Sequence, residues 1–439
     1  MGKEKNVIAA IDIGTTKIVS IIGRINDKNK LDILGFSKAE SRGVKRGTVL
    51  NIEDTVNAIK KTVDEVKQQT GIAVSEVFVG IAGQHVKSIR NRGYINRDSY
   101  DQEITREDIH ALVDDMFKIP IDVGEEIIHV LPQSFIVDNE HDIKNPVGMT
   151  GKRLEANFNI VIGQLSSARN IEKCVSRVGL KVRELILEPL ASAEAVLTED
   201  EKEAGVALID IGGGTTDLAV YYDGIIRHTA VIPFGGNVVT EDIKQGCSIL
   251  MRQAELLKIQ FGSALGDIAP DDKLVTIPGI SGREPKEISF KNLAYIIQSR
   301  MEEIIDAASF EIENSGFFDQ LSAGIVLTGG GALLTHLSQL VKFRTGLDVR
   351  IGSPNEHLAG DPDDEINHPM YSTAVGLILK AYEHIGIEGE EVVYGTEEAA
   401  EIPEAGRVSE KKQARIKHNL IDQLKSTITK IFEEDDIKM

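Results

Sequence analysis

Residues 206–221, VALIDIGGGTTDLAVY, decide the fold, because an apolar run ends there in an aspartate and three glycines before a second apolar run begins. Residues 7–22, VIAAIDIGTTKIVSII, repeat this order of apolar run, Asp-Ile-Gly, threonines and apolar run. Each stretch is typical of a β-hairpin with a Gly/Thr turn. Since the copies lie about 200 residues apart, we expect two related half-domains and not a solenoid, whose period is shorter.

The rest of the chain alternates between helix-like and strand-like segments. Apolar periodicity and caps predict helices at 52–69, 105–117, 166–178, 237–246, 250–260, 290–314, 370–385 and from Ala332 onward. Short apolar runs predict strands at 74–81, 126–137, 154–162 and 324–327. We expect Thr105 to cap the second helix and Ser166 or Ser167 the third. The alternation indicates an α/β architecture.

Composition excludes several classes of protein. With 439 residues, the chain is too long to fold around one hydrophobic core, so two or more domains are expected. A net charge of −20 argues against nucleic acid as a ligand. Cys174 and Cys247 lack metal-site spacing and are interpreted as reduced thiols of a cytoplasmic protein. We expect no signal peptide and no membrane span, since no run of about 18 apolar residues occurs.

The first Asp-Ile-Gly turn is a candidate phosphate loop. Backbone N–H groups of a glycine turn can converge on an anion, and hydroxyl and ammonium groups add donors. The residues concerned are Asp12, Gly14, Thr15, Thr16 and Lys17. Alone, this pattern is more typical of a plain hairpin turn than of a phosphate site.

The second Asp-Ile-Gly turn strengthens the interpretation. Three successive glycines after a strand are entropically costly, which favours close approach of a ligand to the backbone. The residues concerned are Asp210, Gly212, Gly213, Gly214, Thr215 and Thr216. Asp12 and Asp210 hold equivalent positions and are candidates for Mg²⁺, most plausibly through water, because Mg²⁺ sheds its hydration shell reluctantly. Two such turns facing each other would clamp one phosphate group.

A third glycine-rich turn comprises Gly329, Gly330 and Gly331. It follows the apolar run 325–327 and precedes a predicted helix. A strand, glycine turn and helix in this order place a helix N-terminus beside an anion or a nucleoside.

Together, the three motifs resemble, in order and spacing, those of the actin/Hsp70/sugar-kinase ATPase superfamily. The resemblance implies ATP and Mg²⁺ bound in a cleft between two ribonuclease H-like half-domains. Residues 12–17 and 210–217 then match its phosphate motifs, and 328–332 its adenosine motif. In the string AELLK, Glu255 and Lys258 match residues that contact ribose and base. Residues 188–193 and 371–377 resemble the two helices that connect the halves.

Within the superfamily, the chain is similar to the FtsA family of bacterial cell-division actins. The strings VLPQ (130–133), NPVGMTG (145–151) and RLEA (153–156) resemble the subdomain inserted in that family. The resemblance covers roughly residues 6–386. It implies subdomain 1A at 1–83 and 358–386, inserted subdomain 1C at 84–163, subdomain 2A at 164–238 and 312–357, and subdomain 2B at 239–311.

This resemblance implies a scaffold that binds ATP, polymerises into actin-like filaments and anchors the FtsZ ring to the inner face of the cytoplasmic membrane at the division septum. It places the FtsZ C-terminal tail near Arg300 and later division proteins on residues 84–163. Glu188 matches the position that orients the attacking water in the superfamily, although many FtsA-like chains lack an acid there. The resemblance therefore implies at most a weak ATPase. Glu188 is alternatively a first-turn acid favoured by the helix dipole.

The C-terminal region divides into an acidic stretch, 387–409, interpreted as a disordered linker, and residues 410–439, which show helical periodicity. One stripe of that helix holds Ile416, Leu420, Leu424, Ile428, Ile431 and Phe432. Lysines and Arg415 lie opposite, which predicts binding to an anionic membrane surface. The acidic residues 433–436 oppose such binding, and packing on the protein itself or on a partner is the alternative.

Two other functions stay open at this point. The first is a small-molecule kinase of the same superfamily, although no further aspartate motif follows the first hairpin. The second is a pilus-assembly relative, which shares the inserted subdomain but is not expected to end in a basic amphipathic helix. A phosphorylation assay separates the kinase from the scaffold, and liposome flotation separates the pilus relative.

Overall fold

A computed structural model describes residues 7–279, 284–360 and 364–388. The strands, in chain order, are β1 (Ile8–Ile13), β2 (Lys17–Ile25), β3 (Leu31–Glu40), β4 (Val44–Lys45), β5 (Thr48–Val49), β6 (Glu76–Ile81), β7 (Lys87–Asn96), β8 (Glu125–Val137), β9 (Glu140–Ile143), β10 (Arg153–Gln164), β11 (Lys181–Leu187), β12 (Val206–Ile211), β13 (Thr216–Tyr222), β14 (Ile225–Ile232), β15 (Leu274–Ile277), β16 (Lys286–Ser289), β17 (Gly324–Thr328) and β18 (Val349–Ile351).

The helices, in the same order, are α1 (Ile52–Thr70), α2 (Arg106–Met116), α3 (Leu165–Arg177), α4 (Glu188–Val196), α5 (Glu199–Ala204), α6 (Gly236–Cys247), α7 (Met251–Phe261), α8 (Phe290–Ser315), α9 (Leu337–Thr345) and α10 (Ser372–Glu388). None of the helices in the described ranges is long and apolar enough to cross a membrane.

Two five-stranded sheets confirm the predicted duplication. The first has the order β11-β6-β1-β2-β3 and the second β14-β13-β12-β17-β18. In each sheet a hairpin (β1–β2 or β12–β13) pairs antiparallel, and its first strand also pairs parallel with a later strand (β6 or β17). β1 and β12 are buried along their whole length, as expected for the central strands of a sheet covered on both faces. The two hairpin turns therefore occupy equivalent positions, each at the corresponding edge of its own sheet.

The two halves are joined by α4 and α10, which cross at a point of close backbone approach. A Cβ atom at Gly376 on α10 would overlap the carbonyl oxygen of Ala191 on α4. Only glycine permits this crossing, because any side chain there would force the helices apart. The crossing places the N-terminal turn of each helix beside the hairpin turns.

The region between β6 and α3 forms a separate four-stranded antiparallel sheet of order β7-β10-β8-β9. Its α2 helix begins with the predicted Thr105 cap, completed as a capping box by Asp108. Apolar side chains of α2, Leu112 and Met116 among them, pack on one face of the sheet. The other face of the sheet carries polar side chains toward the second half of the molecule.

Two local predictions were wrong. α3 begins one residue before Ser166, and its N-cap is Gln164 without a side-chain hydrogen bond, because β10 runs directly into the helix. The third glycine turn continues as a short 3-10 turn, Gly330–Leu333, and α9 starts only at Leu337. His336 has a left-handed backbone (φ 64°) and bonds Ser263, which prevents a helix from starting at Ala332.

The predicted membrane-facing residues Ile416 to Phe432 lie outside the described residues, as do residues 389–409 of the acidic stretch. α10 extends to Glu388, three residues beyond the predicted helix end.

Candidate functional site

The turns of the two hairpins meet tip to tip. A Cβ atom built on Gly213 would stand closer than 3.0 Å to the methyl group of Thr16. A Cβ on Gly214 would lie 2.5 Å from Thr15 Oγ1. Two loops separated by about 200 residues of sequence thus form one continuous surface of backbone and hydroxyl groups, and the glycines are what permit the contact.

The second turn is braced from behind by the start of α6. The Gly212 N–H donates to the Thr215 carbonyl at 2.9 Å. The Gly236 N–H donates to the Gly212 carbonyl at 2.9 Å, and the Asn237 N–H to the Gly213 carbonyl at 2.8 Å. With its carbonyls satisfied in this way, the turn is held in one conformation and is organised before any ligand binds.

The third glycine turn closes the site from the side. Gly329 has φ 83°, and a Cβ there would collide with Asp210 Oδ1. Gly331 packs in the same way against Ile211. Gly329 and Gly330 line the same cavity as the two hairpin turns. The predicted convergence of all three glycine motifs is therefore seen in the geometry.

Four carboxyl groups line this cavity: Asp12, Glu188, Asp210 and Asp217. Asp210 accepts hydrogen bonds from Ser192 Oγ (2.6 Å) on α4 and Thr373 Oγ1 (3.2 Å) on α10. Asp12 and Asp210 are both buried at 7% exposure, so neither carboxylate is solvated freely.

Burial is the main cause of the perturbed acidity in this cluster. It raises the pKa of Asp12 to about 6, with Lys17 acting in the opposite direction and Asp210 in the same one. The pKa of Glu188 and that of Asp217 are raised well above the usual range by burial and by the neighbouring aspartates. Burial also lowers the pKa of the Lys17 ammonium group. The surroundings thus do not fully stabilise the ionised forms of these carboxyl groups.

The donor set fits a hydrated Mg²⁺ ion better than a directly bound metal. Among the described residues, no three acidic, histidine or cysteine side chains lie close enough to hold a metal directly. Asp217 Oδ1 is buried and has no hydrogen-bond partner, while its Oδ2 accepts from Thr215 Oγ1 at 3.2 Å. A buried carboxylate oxygen without a donor is a position where a cation or its water is favourable.

Three predicted ligand residues lie behind the cavity surface. Thr216 is fully buried and donates to the Phe234 carbonyl at 2.8 Å. Lys258 on α7 donates to the Gly236 carbonyl (2.9 Å) and pairs with Glu255 at 2.8 Å. These contacts brace the start of α6, and hence the second turn, but they do not line the cavity between the turns.

Sequence reasoning left out several residues of the site: Ser192, Asp217, Met370 and Thr373. Asp217 closes the quoted DIGGGTTD string, and Ser192 and Thr373 lie in the two connecting-helix strings. The signal was therefore present in the sequence. What the sequence did not show is that one hydroxyl side chain from each connecting helix reaches Asp210 in the fold.

Arg300 lies far from this cavity in sequence, on α8, and its guanidinium is held by an acid of α6. Nε donates to Asp242 Oδ2 at 2.5 Å and Nη2 to Oδ1 at 3.2 Å. Its side chain is 28% exposed. Its Nη1 also donates to the Glu303 carboxylate on α8. The residue is reachable from solvent and already engaged by two carboxylates.

Comparison with known proteins agrees with this architecture. A family model described as "Cell division protein FtsA" matches residues 207–376, and one described as "SHS2 domain inserted in FTSA" matches residues 83–162. Among solved structures, the PilM–PilN type IV pilus biogenesis complex matches with a TM-score of 0.61 at 16% identity, covering 85% of this chain and 98% of that one. MreB5 of Spiroplasma citri bound to ADP gives a TM-score of 0.52 at 16% identity, covering 88% and 99%. These two structures show an actin-like fold.

Sequence similarity goes further than the fold. The cell division protein FtsA of Pseudomonas aeruginosa is 39% identical over 373 residues, which cover 85% of this chain and 88% of that protein. The inserted sheet, the duplicated hairpins and this identity point to one family. The chain belongs to the FtsA family of cell division proteins.

Proposed function

We propose that this chain binds ATP with Mg²⁺ between its two hairpin turns and acts as a nucleotide-dependent scaffold in bacterial cell division. The observation that carries the proposal is the tip-to-tip contact of Thr16 with Gly213 above a cluster of buried carboxyl groups. Exposed backbone N–H groups from two glycine turns are suited to phosphate oxygens, and the carboxylates to a hydrated cation. The bound cation would supply the positive charge that this carboxyl cluster lacks, and would also neutralise part of the phosphate charge.

Each residue has a role in this proposal. The N–H groups of Gly14, Gly213 and Gly214 face the phosphates, with Thr15, Thr16, Thr215 and Lys17 as side-chain donors, while the Gly212 N–H stays bonded to the Thr215 carbonyl. Asp12 and Asp210 hold Mg²⁺ through its waters. The 329–331 turn lies beside the adenosine. Lys258, paired with Glu255, positions the start of α6 that braces Gly212, so these two residues act on the nucleotide from behind the second turn.

Glu188 is proposed to orient water for a slow hydrolysis. It is the first residue of α4 and lines the same cavity as Asp12, packed against Gly80. Its raised pKa, caused first by burial, favours the protonated form and argues for orientation of water by hydrogen bonding over strong base catalysis. Glu188→Gln should retain nucleotide binding and lower any hydrolysis rate. Equal hydrolysis by wild type and variant would remove this role.

The nucleotide proposal is tested by calorimetric titration of the full chain with ATP in Mg²⁺. Wild type should bind, and Asp12→Ala should lose binding because one wall of the cation site is removed. Asp27→Ala, an exposed aspartate on the β2–β3 loop, is the matched control and should bind as wild type does. Equal affinity in Asp12→Ala and Asp27→Ala would contradict the site.

We further propose that the protein self-associates into actin-like filaments, binds the FtsZ C-terminal tail near Arg300, and attaches to anionic membrane at the septum through residues 410–439. Residues 84–163 would then recruit later division proteins. Membership of the FtsA family supports these roles over a small-molecule kinase or a pilus-assembly protein. The partly exposed basic position of Arg300 on α8 and the basic amphipathic pattern of 410–439 support the two attachments.

A further inference from the structure

A second cavity lies between the inserted sheet and the second half of the molecule. Its volume is about 520 Å³, within the range of small-ligand sites. The inserted sheet contributes β7, β8 and β10, and the second half contributes β14 and the segment after α8. None of the residues around it belongs to the glycine-turn site.

Direct hydrogen bonds hold the two walls together around this cavity. The Gln133 amide on β8 donates to the Ile226 carbonyl on β14 at 2.7 Å. Ser88 on β7 and Thr229 on β14 join their hydroxyl groups at 2.9 Å. The Arg90 guanidinium donates to the Ser315 carbonyl at the end of α8, at 2.9 Å. The cavity is therefore a defined interface and not a gap between loosely placed parts.

The alternation along the strands determines what faces the cavity. On β7, Gly93 faces α2, which places Arg90 and Arg92 on the opposite face of the sheet. On β10, Asn159 stands opposite Arg90, and Asn157 opposite Arg92. The result is a row of donor side chains on the face that looks toward β14.

Positive charge dominates this lining, which includes three arginines and no carboxylate. Arg92 is paired with Glu155 at 2.6 Å. Arg227 instead donates to the backbone carbonyls of Gln133 (3.0 Å) and Tyr222 (3.1 Å). The carboxylate paired with it, that of Asp223, is 4.0 Å away and is also engaged by Lys144 at 3.2 Å.

Arg227 is poorly compensated for a buried cation. Burial lowers the pKa of its guanidinium, so its charge is destabilised in this environment. Its guanidinium carbon lies 5.4 Å from the centre of the Phe317 ring, which forms an apolar edge of the cavity. An anion bound here would replace the contacts with water that the Arg227 guanidinium loses on burial.

Asn159 supplies the second, independent observation. It is only 3% exposed, and its Nδ2 has no hydrogen-bond partner in the described part of the chain. Its neighbour Asn157 differs, because Asn157 Nδ2 donates to Ser134 Oγ at 3.1 Å. An unmatched buried amide donor is destabilising, and an acceptor bound in the cavity would remove that penalty.

We propose that this cavity is a carboxylate-binding site, in which Arg90, Arg227 and Asn159 hold one carboxylate group between the inserted sheet and the second half. The carboxylate comes either from an Asp or Glu side chain of an acidic peptide segment or from a free dicarboxylate. Phe317 packs against the aliphatic part of the ligand. Because its walls belong to two parts of the fold, a bound carboxylate bridges them. The site is independent of the proposed nucleotide site.

Fluorescence anisotropy of a labelled hexaglutamate peptide, and calorimetry with glutarate, test this site on the full chain at low salt. The protein carries a net charge of −20, so an acidic ligand is repelled except where positive charge is local. Arg90→Gln and Arg227→Gln should each weaken binding about tenfold or more, as expected for loss of a charged hydrogen bond. Arg106→Gln, an exposed arginine at the start of α2, is the control and should bind as wild type does.

Binding of the peptide alone identifies a partner segment, and binding of glutarate alone identifies a free dicarboxylate; both support the site. Arg90 is exposed, so its variant should fold normally even if Arg227→Gln does not, and thermal melting checks this. Failure of wild type to bind either ligand, or equal binding by Arg90→Gln and Arg106→Gln, would overturn the proposal.

Discussion

The methyl group of Thr16 fills the space in which any side chain at Gly213 would have to stand, since a Cβ there would approach it closer than 3.0 Å. Thr16 belongs to the first half of the molecule and Gly213 to the second. Because the two residues are in contact, even a single added Cβ atom at Gly213 would push the two halves apart. It is also the point at which the proposed triphosphate would touch both halves.

Substitution of Gly213 tests this contact. Gly213→Val should abolish ATP binding, because the added side chain would collide with Thr16 and force the two turns apart. Calorimetric titration with ATP and Mg²⁺ measures the effect. Gly71→Asn is the matched control: Gly71 caps α1 with φ 68° and has open space around its Cβ position, and asparagine tolerates that backbone. Wild-type affinity in Gly213→Val would refute the contact.

The Asp12 carboxylate is expected to destabilise the ligand-free protein at neutral pH, although it is needed to bind the nucleotide and its cation. Its pKa in the folded protein is about 6, above its ordinary value of 3.8, so its contribution to stability is present below about pH 4 and is lost as pH rises through 6. Asp12→Asn should therefore stabilise the ligand-free protein at pH 7.5, by at most about 3 kcal/mol, and have little effect near pH 4. Urea denaturation at the two pH values measures this. A variant less stable than wild type at pH 7.5 would contradict the burial argument.

Glu126, which lies away from the proposed nucleotide site, should show the same pH dependence of stability. Burial, with Glu172 nearby, raises its pKa to about 7, so its carboxylate destabilises the fold above that pH. Glu126→Gln should raise the free energy of unfolding at pH 8 by about 1 kcal/mol, a figure reduced for solvent screening because the side chain is partly exposed. ATP affinity should be unchanged, in contrast to Asp12→Asn. No pH dependence of the stability difference would show that Glu126 is solvated.

Arg300 is expected to bind the FtsZ tail in competition with Asp242. Arg300→Ala should weaken binding of a labelled FtsZ C-terminal peptide about tenfold or more, as for an arginine anchor. Asp242→Asn should tighten it, because one of the two carboxylates that engage Arg300 is removed and only Glu303 remains paired with it. Arg344→Ala is the control, since Arg344 makes a similar two-bond pair with Asp306 on α8. Equal loss in both arginine variants would argue against a specific site.

Removal of residues 410–439 should abolish flotation with vesicles of anionic lipid. The apolar stripe would no longer insert, and about 1 kcal/mol per basic residue near the surface would be lost. Leu424→Glu in the full chain should weaken flotation without changing charge on the basic face. Undiminished flotation of the truncated protein would place membrane binding elsewhere.

The hairpins were predictable because each depends on a short local pattern: an apolar run, a glycine turn and a second run. The Thr105 capping box was predictable for the same reason. The contact between Thr16 and Gly213 is different, since it depends on how two separate sheets are held by α4 and α10. The family resemblance supplied that arrangement; periodicity alone did not.

Side chains that act across the halves were the hardest to predict. Ser192 lies in the middle of α4 and Thr373 in the first turn of α10, and both reach Asp210 because the two helices cross at Gly376. His336 was missed because its left-handed backbone is stabilised by a tertiary bond to Ser263. In both cases the deciding contact spans a long stretch of sequence.

A structure determined with ATP and Mg²⁺ would show directly whether both hairpin turns bind one nucleotide. We expect triphosphate oxygens within hydrogen-bonding distance of backbone N–H groups at both Gly14 and Gly213, with the cation facing Asp12 and Asp210. Nucleotide found elsewhere in the molecule, or touching only one of the two turns, would contradict it.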